Sequence, residues 1–136
     1  MTTARWSHLP STDFGLLFLR VSGAILLLYV HGIPKILHFQ SELKKIEDPF
    51  HLGQGLTLVL AIFTEVVCAI LILFGFRARI ASLPIVFLLM VSMIFVHPDW
   101  TVAEGQFGWL LIIVFGTVAL AGPGQYSADA KLSIQT

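Results

Sequence analysis

Six side chains in this sequence can carry a charge or a proton in almost wholly apolar surroundings: Arg20, His31, Lys35, Glu65, His97 and Glu104. A charged group placed in hydrocarbon costs about 2.5–3.5 kcal/mol on insertion scales, so each needs a partner or a task. At about 100° per residue, the eleven positions from Arg20 to His31 return to within about 20° of the same helix face. Lys35 lies about 40° further round, so the three share one inward side and leave Ile25 and Leu28 for lipid. Glu65 is the natural counter-charge. A rise of about 1.5 Å per residue puts Arg20 about 9 Å and Glu65 about 15 Å from the same membrane face. An Arg20–Glu65 ion pair is then within reach, and such a pair can fix helix packing without doing chemistry.

His97 ends its apolar segment at nearly the level of His31, with Met90 and Met93 on the same face. Two imidazoles at one level on different helices suit three ligands. They can hold haem iron from both sides, bind copper or another soft metal through His31, His97 and Met90, or hydrogen-bond a quinone head group. Hydrogen bonds from both rings to loop carbonyls are the plainer alternative. Glu104 opens the last apolar segment, where the helix dipole favours a carboxylate. It stands at the outer level of His31, Lys35 and His97, so the six residues together form the expected ligand and proton pocket. No catalytic residue is assigned among them.

These residues require apolar helices to position them, and four apolar segments supply them, at about 14–37, 55–76, 80–96 and 104–121. Each is close to the roughly 20 residues that cross a bilayer. The expected fold is all-α: one membrane-embedded domain over 1–136, a bundle of four transmembrane helices. Between the first two segments a polar stretch carries room for one short helix, 41–47, stopped by Pro49. Arg77-Ala78-Arg79 forms a tight cationic hairpin, and after Ala121 a turn leads into a short polar tail.

Composition agrees. Hydrophobic residues make up 57% of the 136 and charged residues 12%, which a soluble domain of this size could not hide from water. The net charge is zero, which gives no footprint for nucleic acid. Cys68 is the single cysteine, so an internal disulfide, a CxxC pair and a cysteine-rich metal site are excluded. The first apolar segment has no small-x-small cleavage pattern and is expected to be retained. Arg5, Arg77, Arg79 and Lys131 fall on one side and Lys35, Lys44 and Lys45 on the other. Acidic neighbours offset Lys44 and Lys45, so both termini are expected on the cytoplasmic side.

Three stretches resemble the DoxX family of small four-helix membrane proteins: FLRVSGAILLLYVHGIPKIL (18–37), FTEVVCAILILFGFRARIAS (63–82) and GPGQYSADAKL (122–132). They cover the family's arginine, histidine-glycine and lysine in the first helix, the glutamate of the second, and the tyrosine-serine-aspartate ending. The resemblance implies a redox setting, since the family is named for a quinone-reducing thiosulfate oxidoreductase subunit. It also picks out Arg20, His31, Lys35 and Glu65, though the absence of a cysteine pair argues against a thiol relay.

The leading expectation is a redox-associated subunit of a bacterial inner-membrane, quinone-linked oxidoreductase. It binds a quinone or similar apolar cofactor near the periplasmic face. One alternative is a non-catalytic assembly or anchoring subunit of a membrane oxidoreductase, acting through partner subunits or as a homo-oligomer. The other is a haem- or copper-binding membrane protein.

Overall fold

Ser11 accepts a hydrogen bond from the Phe14 amide at 3.3 Å and so starts the first helix. The computed structural model describes residues 11–133 and contains no strand among them. Helix α1 runs over Thr12–Leu37, α3 over Gln54–Phe74 and α4 over Ala78–Val96, and these three are long and apolar enough to cross a membrane. Helix α5, Gln106–Ala121, is equally apolar but has 16 residues, about 24 Å at the α-helical rise. Two short helices, α2 (Phe39–Lys45) and α6 (Ala128–Ser133), complete the described chain. The helix expected at 41–47 begins and ends two residues earlier. The fourth apolar helix opens at Gln106 and not at Glu104. Arg5, used above for orientation, lies outside the described residues.

Each break has a local cause. Helix α3 ends in a Schellman turn: Gly75 takes φ +70°, Phe76 N–H donates to Leu71 at 2.8 Å and Gly75 N–H to Ile72 at 2.9 Å. Helix α4 starts where the Asp129 carboxylate accepts the amides of Arg77 (2.7 Å) and Ala78 (3.0 Å). Asp129 belongs to α6, so the short polar tail after the turn is a docked element. At the far end, the Asp48 carboxylate accepts from Leu52, Gly53 and Thr57 and fixes the loop before α3.

The core lies between the helices, and much of it is small: Ala24, Ala69, Ala78 and Ala81 let backbones approach around Leu27, Ile72, Ile85, Phe115 and Val118. Phe18, Phe87, Phe95 and Leu120 stand on the outer surface, where lipid replaces water. Ile25 faces outward as expected, but Leu28 packs against the core. Leu28 begins a π turn, Leu28–Gly32, whose extra residue rotates the face relative to a regular α-helix.

Candidate functional site

Three of the four long helices carry a π turn, and each turn sits at one of the ionisable residues. His31 lies in Leu28–Gly32, where the Ile33 amide bonds the Leu28 carbonyl. Glu65 lies in Phe63–Cys68, and His97 closes Ser92–Val96 by donating its amide to Ser92 at 2.9 Å. Pro34 and Pro84 withdraw backbone donors from α1 and α4, which loosens the regular ladder in both helices. A π turn adds a residue without breaking the helix and re-aims the side chains around it; such turns are frequent at functional sites.

These side chains converge on a cavity of about 590 Å³ bounded by α1, α2, α3, α4 and the loop 46–53. His31, Lys35, Glu65 and His97 all line it, with Thr64 and Ser92 adding hydroxyls and Leu60, Phe87 and Leu88 forming apolar wall. Its volume falls in the range that holds a small organic ligand. Lys35 Nζ lies 2.7 Å from Glu65 Oε2, and no other donor reaches that oxygen among the described residues. Gly32 permits this approach, because a Cβ there would stand 2.8 Å from the Glu65 carbonyl oxygen.

The histidines are held by rings and not by hydrogen bonds. His31 stacks on Phe107 of α5 with centroids 5.6 Å apart, and His97 stacks on Trp100 at 3.8 Å. Neither imidazole makes a side-chain hydrogen bond to another described residue, so the bonds to loop carbonyls weighed above are not formed. Both histidines line the cavity with no described residue bonded to their ring nitrogens.

Arg20 does not pair with Glu65. Its guanidinium donates to the carbonyls of Ile72 (2.9 Å) and Leu73 (2.6 Å) at the end of α3. It also donates to Pro123 (3.2 Å) and Tyr126 in the turn after α5. Five donors in a rigid fork can be satisfied by helix-end carbonyls as well as by a carboxylate, and here they tie down the opposite end of the bundle from the cavity. Arg79 does the same for α5, donating to Leu120 and Ala121 at 2.7 and 3.2 Å.

Glu104 is exposed and does not line the cavity. Its carboxylate accepts the amide and hydroxyl of Thr101 at 2.7 and 2.8 Å, and those two bonds hold its pKa below the usual carboxylate range. Met90 also lies outside the cavity lining, while Met93 packs on Gly105 and Gly108 at the start of α5. Among the described residues no group of three or more His, Cys, Asp or Glu is placed to hold a metal ion. The lining residues Thr64, Ser92 and Phe50 escaped the sequence reading. Thr64 adjoins Glu65, and Ser92 lies a π-helical step before His97, a spacing that counts as neighbouring only once the turn is known.

Apolar helices around a buried ion pair define a multi-pass membrane protein with a polar site in its interior. The model of the DoxX family matches residues 15–98, more than half of the chain, and the protein belongs to that family. The match takes in almost all of α1 and the whole of α2, α3 and α4, ending beside His97; α5 and the docked tail lie beyond it. No curated protein and no solved structure matches the chain.

Proposed function

We propose that this protein is a redox-associated membrane subunit that holds a quinone, or a similar ring with a polar head and an apolar body, in the cavity. The observation that carries the proposal is the composition of that cavity. It joins an apolar wall to a polar end built from Lys35, Glu65, His31 and His97. Apolar pockets with a few convergent polar groups are the usual form of small-molecule sites. A quinone fits the donor set: Lys35 has N–H groups beyond the one facing Glu65, and no described residue is bonded to either imidazole's ring nitrogens. Bound there, a quinone supplies coupled electron and proton chemistry. The chain's own part is to donate hydrogen bonds to the head-group oxygens and to hold protons at the His31 and His97 ring nitrogens.

In this reading all four long helices span, both termini are cytoplasmic, and the cavity lies toward the periplasmic side of a bacterial inner membrane. The Arg77–Arg79 hairpin and Lys131 support that orientation. The test is saturable quenching of tryptophan fluorescence by a short-tailed quinone in mild detergent. His31→Ala should abolish the quenching while thermal unfolding stays cooperative. Retained binding in a folded His31→Ala protein would remove His31 from the site and overturn this assignment.

A further inference from the structure

Helices α3 and α4 pack closely along residues 63–74 and 78–91, on the side of the Gly75 turn. The other half of α3, Gln54–Ile62, leans instead on α2 and the end of α1, with no comparable packing onto α4 among the described residues. The two helices therefore diverge toward the cavity. Leu60 on α3 and Phe87 on α4 both line the cavity while being 46% and 64% exposed. Both lie within apolar membrane-spanning helices, so the surface they share with the cavity is bathed by acyl chains and not by water.

One residue from outside the two helices lies against the α4 wall of the cleft. Phe50, from the loop before α3, also lines the cavity and stacks nearly parallel on Phe87, centroids 6.5 Å apart. It meets Phe95 of α4 at 6.1 Å as well. The loop that carries it is held by the Asp48 carboxylate, yet His51 takes φ +56°, a conformation rare for a side-chain-bearing residue. The ring contacts that hold Phe50 against α4 part at far lower cost than helix packing.

From this arrangement, and resting on the reading of the cavity as a ligand site, we infer that the ligand is a lipid-dissolved amphiphile loaded sideways from the hydrocarbon core. It passes between α3 and α4, and Phe50 is the shutter. The polar head comes to lie at Lys35 and Glu65, and the tail lies in the cleft beside Leu60 and Phe87. A water-soluble ligand has no use for such a mouth.

The test uses the full chain in phospholipid nanodiscs, with Cys68→Ala, Phe50→Cys and Phe87→Cys, and the two new thiols joined by a short bis-maleimide. Loading of decyl-ubiquinone is followed by the rate of tryptophan quenching. Tethering should slow loading by about tenfold or more relative to the same cysteine protein left unlinked, because a shutter acts on rates. Phe50→Ala should load faster than wild type. The tail-less quinone head should bind about tenfold or more weakly, because it buries less apolar surface. Should the cysteine protein fail to fold, the comparison of Phe50→Ala with Phe50→Leu supplies the same rate readout. Unchanged loading rates with binding intact overturn the lateral route and leave the cavity a ligand site. Absence of saturable quenching in the wild type overturns both readings.

Discussion

The ammonium of Lys35 and the carboxylate of Glu65 meet at 2.7 Å, one from the last turns of α1 and the other from the middle of α3. Removing one partner of a buried pair strands the other charge and costs about 3–5 kcal/mol, whereas replacing both by apolar groups of similar size is often neutral. Lys35→Met alone should therefore lower thermal stability severely, and Lys35→Met combined with Glu65→Leu should recover most of it. Quinone quenching then separates architecture from function. The double variant should be folded and unable to bind; undiminished binding would remove the pair from the site.

Arg20 makes its hydrogen bonds at the other end of the bundle, to four backbone carbonyls. Arg20→Lys keeps the charge but loses the fork that reaches two chain segments at once. A loss of about 2–4 kcal/mol is expected, from two or more charge-assisted bonds. Ligand affinity in the folded fraction should stay unchanged, as measured by the same quenching titration. A selective fall in affinity with stability intact would place Arg20 back in the pocket.

Gly75 sits at φ +70°, and a Cβ there would come 2.5 Å from the Ser127 Cβ and 3.1 Å from the Arg20 guanidinium carbon. Gly75→Ala should destabilise the fold by about 2 kcal/mol or more through left-handed strain and displacement of the tail. Gly116→Ala, where nothing lies within 4 Å, should instead be neutral or gain about 0.5–1 kcal/mol in unfolding assays.

Acid should loosen the Phe50 loop. Partial burial raises the Asp48 pKa, but donation from the Gly53 amide, the Thr57 hydroxyl and the Leu52 amide, with the nearby His51, outweighs it and leaves the carboxyl below its ordinary value. A carboxyl depressed in the folded state stabilises above its unfolded pKa of about 3.9, and that contribution vanishes as pH falls through the lower folded value. Hydrogen exchange across residues 46–53 should thus speed up, beyond its intrinsic pH dependence, only in strong acid. Asp48→Asn should show fast exchange at neutral pH and no such acid transition.

The three helices long and apolar enough to span, and the inward-facing residues of α1, were legible because hydropathy and a 3.6-residue period report on which faces are apolar. His31, Lys35 and Glu65 were found from cost and His97 from its level beside His31, and the structure brings the four to one cavity. The partner of Arg20 was not legible. A depth count treats each helix as a regular ladder and the tail as solvent, so it cannot foresee that carbonyls from α3 and from a turn after α5 fill the fork. The π turns were equally hidden: they arise from backbone hydrogen bonding, and they move Leu28 from the lipid face toward the core. The Phe50 contact depends on loop conformation, to which periodicity is blind.

The Arg20 clamp also sets an order of events in biosynthesis. Two of its acceptors, Pro123 and Tyr126, lie 103 and 106 residues further along the chain. The first helix must therefore enter the membrane with its arginine only partly satisfied, and it waits for the turn after α5 to leave the ribosome. Until then the nascent bundle has an open seam at this end, and a segment made long after the first helix is the one that closes it.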